Sequence, residues 1–406
     1  MTPADGGTEA QTVAFDPFDP EFKRDPYPTY HSLRETDPVH ETPLGNYVLT
    51  RYADVVSILR DPSMSSDFRN STTYAQFREM SPTLFEDRQP SLLFLDPPDH
   101  TRLRTLVNKA FTARRIEQLR DRVDEVVDEL LGRARTGGEM DVVEDLAYPL
   151  PVTVISEMLG VPAEDHRLFR SWSQDLVATL DPIVPPDRVE RAMRSSDAFR
   201  EYFRALIAQR RSAPSDDLLS ALIEAEDQGK QLTEEELLIT LVLLLVAGHE
   251  TTVNLISNGV FALLTNRDQW ERLVADPSLI RTAIEELLRF DSPVQFIGRV
   301  AMHDLELDGV SIDKGKELIG LLGAANRDPG QFADPDRLDI TRSDNRHLAF
   351  SGGAHFCLGA SLARLEGQIA IGALAREFPA MELIDTAPPH RETMTLRGLA
   401  SLKVAI

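Results

Sequence analysis

Residues 233–264 read as one uninterrupted helix, and a rod of that length limits the folds open to the chain. Thr233 with Glu236 three residues later forms a capping box that starts it, and the apolar pattern then runs through Leu264. At about 1.5 Å per residue the helix is on the order of 48 Å long, enough to cross a whole domain. Its middle reads Ala247-Gly248-His249-Glu250-Thr251-Thr252. The two small residues make a dent where a flat cofactor or a small molecule can approach the backbone. A Glu-Thr pair in so apolar a helix is costly unless it is used. Ordinary uses exist: Thr251 can bond back to the carbonyl four residues earlier, and Glu250 can sit in a buried ion pair. His249-Glu250 also begins a zinc-protease pattern, but that pattern needs a histidine where Val253 stands.

A second stretch, Phe350-Ser351-Gly352-Gly353-Ala354-His355-Phe356-Cys357-Leu358-Gly359, holds the only cysteine in 406 residues. It opens an amphipathic helix, since Leu358, Leu362, Leu365, Ile369 and Leu374 fall on one face. A thiol at a helix N-terminus meets unpaired N–H groups and the positive end of the dipole, which favour a thiolate. Three roles are open to Cys357. It can be a small buried hydrophobe, a nucleophile with His355 as its base, or a soft axial ligand to haem iron.

An aromatic, a glycine-rich turn, a basic residue, Cys, an apolar residue and Gly, in this spacing, resemble the haem-binding loop of the cytochrome P450 family. Ser351 stands where Gly is more usual. Ala247-Gly248-x-Glu250-Thr251 resembles the family's oxygen-activating segment, and Glu286-x-x-Arg289 its Glu-x-x-Arg motif. The three occur in the family's order, and the resemblance covers nearly the whole chain from about Asp19.

The resemblance implies a mainly α fold with a small β region, the cytochrome P450 fold. It implies haem b (iron protoporphyrin IX) ligated by Cys357 within a loop framed by Phe350 and Gly359, against Ala247 and Gly248. His100, Arg104, Arg299 and His355 would bind the propionates. Otherwise His100 and Arg104, four apart, belong to a solvated basic stripe. Glu250 and Thr251 would be an acid-alcohol pair relaying protons to O2, with Glu250 exchanging with solvent. Glu286, Arg289 and Arg337 would brace the cysteine loop, though Glu and Arg three apart are by themselves an ordinary surface pair. Val294, Ile297 and Leu396 are candidates to line the substrate pocket. Residues 62–90 would form part of the pocket roof, and 164–211 a lid of two helices. Residues 391–406 alternate like a hairpin with its tip near Leu396.

The implied activity is a haem-thiolate monooxygenase that inserts one oxygen atom from O2 into a small apolar substrate. Its electrons would come from a separate ferredoxin or flavodoxin. Arg102, Lys109, Arg114, Arg115 and Arg364 form the basic patch expected to dock such an acidic donor. The residues around Thr251 look like the version found in bacterial enzymes that tailor macrolides and other natural products. A haem-thiolate gas or ligand sensor and a peroxide-driven peroxygenase are the alternatives.

A net charge of −23 argues against nucleic acid or an anionic membrane as a partner. One cysteine excludes an intrachain disulfide, and residues 1–12 have no apolar core, so a soluble cytoplasmic monomer is expected. No linker divides the chain, giving a flexible segment at 1–18 and one domain over 19–406.

Overall fold

The capping box forms as the sequence predicts: Glu236 N–H donates to Thr233 Oγ1 at 3.2 Å and Thr233 N–H to Glu236 Oε2 at 2.8 Å. In this computed structural model, which describes residues 15–80, 90–181, 184–227 and 229–406, the central helix then runs Glu234–Thr265. It ends at Asn266, whose N–H and side-chain amide both bond Ala262 O. Leu237, Leu241, Leu245, Ile256, Val260 and Leu263 are buried along it. Each contributes roughly 1.5–3 kcal/mol relative to exposure.

The helix is long and apolar enough to cross a membrane, yet most of it is buried inside the protein. The helices Pro149–Met158, His166–Val177 and Ala360–Glu377 pack on its sides, and Ile280–Phe290 joins its C-terminal half. Small residues set those distances. A Cβ on Gly367 would lie 3.1 Å from Leu255 and 3.3 Å from Ile284, so glycine lets the Ala360–Glu377 helix lie against both neighbours.

The largest sheet has five strands: β1 (Val39–Glu41), β2 (Tyr47–Leu49), β3 (Met64–Ser65), β4 (Phe296–Ala301) and β5 (Glu317–Leu321). Their order is β1-β2-β5-β4-β3, with only the β2–β5 pair parallel. Arg299 stands opposite Leu318 in the β4–β5 register, which fixes it on a rigid element.

Helices fall at Tyr52–Arg60 and Ile280–Phe290 as the sequence puts them, and the two helices expected over 164–211 are His166–Val177 and Pro186–Ser212. Residues 1–14 of the expected flexible segment lie outside the described residues. Phe15 already packs edge-on against Phe22 at 5.5 Å. Of the expected pocket roof, residues 81–89 also lie outside them, and the rest carries β3 and the helix Tyr74–Met80. The C-terminal hairpin is shorter than predicted. Arg391 N–H bonds Gly398 O at 2.9 Å and Leu396 bridges Val294, but Lys403–Ala405 leaves to pair with Glu382–Leu383 and Glu139–Asp141.

Candidate active site

Cys357 lies between the short helix Gly353–His355 and the helix Ala360–Glu377. Its N–H donates to Phe350 O at 3.0 Å. Its sulfur accepts from the N–H groups of Gly359 and Ala360. Gly353 has φ +65°, and a Cβ there would meet Leu59 O at 2.2 Å, so only glycine fits the turn. Ser351 has φ 61°, a left-handed conformation that strains a serine by roughly 1–3 kcal/mol and explains why glycine is usual there. Burial outweighs the two N–H groups, Arg104 and Arg364, and raises the thiol pKa. Binding a metal ion would deprotonate it.

Around this loop the fold gathers His100, Arg104, Arg299 and His355 from three separate segments. The rings of His100 and His355 lie 4.1 Å apart. Arg104 Nη2 donates to Phe356 O at 2.7 Å. His355 Nε2 meets Ser66 Oγ at 2.9 Å, so one of its nitrogens already has a partner. Burial drives the His355 pKa down to about 3, helped by His100, Arg299 and Arg104. Burial lowers His100 as well, with Arg104 adding to it, and brings Arg299 down to about 10 against the pull of Asp96. Both His100 Nε2 and Arg299 Nη2 are buried with no hydrogen-bond partner among the described residues. A buried donor left unpaired is costly. Two carboxylates placed here would satisfy both donors and relieve the crowding of basic groups. The residues therefore fit the propionates and the thiolate-bound iron of a haem.

The central helix presents two different faces at its middle. Ala247 is exposed, and Gly248 and Thr251 are half-buried, while His249 and Glu250 are fully buried. Thr251 Oγ1 donates to Ala247 O at 2.7 Å, the ordinary seating of a helical threonine. Glu250 is in a buried ion pair with Arg391 and accepts from Tyr148 OH at 3.4 Å. Its side chain is 1% exposed, so the direct exchange with solvent expected of it does not occur in this arrangement. His249, given no role from sequence, packs its ring on Tyr148 at 4.4 Å with Nδ1 3.0 Å from Ser173 Oγ.

The bracing network has a different third member from the one predicted. Glu286 and Arg289 are completely buried and joined by two 2.8 Å bonds. Arg337 contributes only its carbonyl, at 3.2 Å from Arg289 Nη2. The cation on Glu286 is Arg342, at 3.1 Å, with Asn345 Nδ2 and Asp339 N–H completing its shell. Arg342 comes from an irregular segment, where spacing gives no guide.

A second brace was missed. Arg364 lies over Phe350 and makes two bonds to Glu285, at 2.6 and 2.8 Å, while His347 adds a third at 3.0 Å. Burial opposes the charge, but Arg364 and His347 prevail and hold Glu285 down at about 2, against 4.5 for an ordinary glutamate. A lowered carboxylate stabilises the fold above its unfolded pKa. Stability is thus expected to fall as pH drops from 4.5 toward 2, and Glu285→Gln to flatten that slope in urea melts taken across the range. Equal slopes in both proteins would contradict this. Of the expected docking patch, Arg364, Arg102 and Arg115 each pair with an acidic neighbour, Glu285, Glu236 and Asp216.

Of the pocket candidates, Val294 and Leu396 meet, in an apolar cluster with Leu176, Val177 and Val246. Ile297 is not in that cluster; together with Val294, it packs on the sheet cluster around Leu49 and Val55.

Residues 44–403 match the family described as Cytochrome P450. Cytochrome P450 107B1 of Saccharopolyspora erythraea is 45% identical over 400 residues, covering 95% of this chain and 96% of that one. Vitamin D(3) 25-hydroxylase of Pseudonocardia autotrophica is 44% identical over 407 residues and 98% of each chain. The solved structure of the bacillaene polyketide synthase cytochrome P450 PksS from Bacillus subtilis 168 gives a TM-score of 0.89 at 40% identity, over 97% of this chain and 99% of that one. With similarity of this extent joined to a helical fold that gathers a cysteine loop, basic donors and an acid-alcohol helix, the chain belongs to the cytochrome P450 family of monooxygenases.

Proposed function

We propose that the protein binds haem b through Cys357 and inserts one oxygen atom from O2 into an apolar substrate, by hydroxylation or epoxidation. The observation that carries this is the gathering of His100, Arg104, Arg299 and His355 beside Cys357 with donors left unpaired. When bound, the haem supplies reductive activation of O2 and oxygen insertion. The chain's own residues hold and supply. Cys357 Sγ ligates the iron, and the basic groups hold the two carboxylates. The face formed by Ala247, Gly248 and Thr251 leaves room beside the helix. Thr251 Oγ1 accepts and passes on a proton once it turns from Ala247 O, and Glu250 is its source.

The electrons come from a separate ferredoxin or flavodoxin, the kind of donor that bacterial members of this family typically use. We take the cluster of Leu176, Val177, Val246, Val294 and Leu396 as one side of the substrate pocket, and its aliphatic side chains suit a hydrocarbon-rich substrate. The name of the Pseudonocardia relative points to vitamin D(3) and that of PksS to a polyketide, so both classes lead the screen. Spin-state titration of haem-loaded protein against such a panel tests binding. Product formation with a surrogate reductase tests turnover, and failure to consume NAD(P)H with any binding compound would favour a sensor.

Thr251→Ala is expected to lower product formed per electron on the order of 10²-fold, the low end of what a positioned proton donor contributes. The lost electrons should appear as hydrogen peroxide. Unchanged product per electron would remove Thr251 from the proton path.

A further inference from the structure

His249 takes no part in the proposed reaction, yet it is wholly buried against Ser173 of the His166–Val177 helix, with Nδ1 3.0 Å from Ser173 Oγ. Tyr148 holds its ring at that angle, edge-on at 4.4 Å, and Tyr148 OH also reaches the same neighbouring helix at Arg170 O, 3.4 Å away. Burial, and then Arg391, bring the His249 pKa down to about 3. The imidazole is therefore neutral and offers one bare nitrogen and one N–H, either of which suits a hydroxyl. Beside this polar pair the contact is apolar. Leu176 and Val177, three and four residues beyond Ser173 and so on the same face, cluster with Val246, three residues before His249. Apolar packing is non-directional and tolerates one helix sliding along another. A slide of one turn, about 5.4 Å, would leave the Ser173 hydroxyl and the His249 nitrogen buried without partners, at a cost for each. The far end of the segment is held separately. Asp181 accepts from Met394 N–H at 3.0 Å and Thr395 N–H at 2.9 Å, and Thr395 Oγ1 donates to Leu180 O at 2.8 Å. Leu176, Val177 and Leu180 are thus strung between two polar anchors, one on the central helix and one on the hairpin.

We infer that His249 is a positioning residue: through Ser173 it fixes the register of the His166–Val177 helix on the central helix, and so where Leu176 and Val177 stand at the pocket. The first half needs only the geometry, since a satisfied polar pair inside an apolar contact selects one arrangement among several of similar packing. The second half rests on the reading of the Leu176 and Val177 cluster as one side of the pocket.

Amide hydrogen exchange of full-length, haem-loaded protein tests the register, and stopped-flow release of phenylimidazole from the haem iron tests its consequence for the pocket. Ser173→Ala is expected to speed exchange over 166–173 about 2- to 10-fold, the change in open population that one neutral hydrogen bond supports. Residues 178–181, where Asp181 still holds, should change less. His249→Leu fills the space without the nitrogen and should give the same increase. Adding Ser173→Ala to it should then change nothing more, because the pair is already broken. His249→Asn places an amide where Nδ1 stood and should return exchange toward wild type, although it fills less space than leucine. Ser173→Ala removes a single oxygen and carries the test alone if the leucine variant does not fold. Exchange over 166–173 equal to wild type in Ser173→Ala, or an asparagine variant looser than the leucine one, overturns the inference. Phenylimidazole should leave Ser173→Ala about 2- to 10-fold faster than it leaves wild type. Faster exchange with unchanged release would instead overturn the pocket reading, and with it the second half of the inference, leaving the register role standing.

Discussion

Cys357→Ala is expected to fold and to lose the thiolate-type carbon monoxide spectrum completely. The loop does not depend on the sulfur for its shape. Cys357 N–H bonds Phe350 O through the backbone, Gly353 fits under Leu59 O, and Phe350 is held beneath Arg364. Removing one sulfur from a half-buried position leaves those contacts in place. The basic donors at His100, Arg104 and Arg299 also remain, so some haem should still bind, through its carboxylates. Iron content, thermal unfolding and the carbon monoxide difference spectrum, measured on one preparation, check this. A thiolate-type spectrum from the variant would mean that the assignment of the iron ligand is wrong.

Glu286→Ala is expected to cost about 3–5 kcal/mol, the range for breaking a buried ion pair by removing one partner. Glu286 accepts from Arg289, Arg342, Asn345 and the Asp339 backbone, so its loss leaves two guanidinium groups facing each other without an anion. Arg289 would keep only the carbonyls of Asn326, Pro335 and Arg337. Asn326 in turn bonds Leu348 N–H at 2.7 Å with its side chain, just ahead of Phe350, so the damage should reach the cysteine loop. Urea unfolding should show the drop in stability, with haem content per chain falling in parallel. A midpoint close to that of wild type would mean that the network is not a brace. Arg337→Ala, by contrast, removes a side chain the network does not use and should leave both measurements unchanged.

Features carried by regular spacing were legible in the sequence. The central helix announced its start at Thr233 and Glu236, and the cysteine loop its turn through glycines and Cys357. The segments bearing His100, Arg299 and His355 were each readable by resemblance. Partners drawn from irregular chain were not. Arg391 is 141 residues from Glu250, and Arg342 is 56 from Glu286. Neither sits on a helix or strand whose periodicity would direct it. Glu285 was hidden for a simpler reason, being one more acidic residue on a charged helix until folding set Arg364 against it. Leu176, Val177 and Val246 read only as apolar positions, because which residues of separate helices meet in one cluster depends on how those helices pack. The thiol showed a competition that spacing cannot weigh, between backbone N–H groups that favour charge and burial that opposes it.

The hairpin that bears Arg391 also bears Leu396, five residues further along its turn and in contact with Val294. Anyone enlarging the proposed pocket to admit a bulkier compound would choose Leu396 early, and would be editing the hairpin whose Arg391 pairs with Glu250. Variants there should therefore be ranked by the electrons spent per product as well as by the product made. A library scored on product alone would confuse a better-fitting pocket with a loosened ion pair.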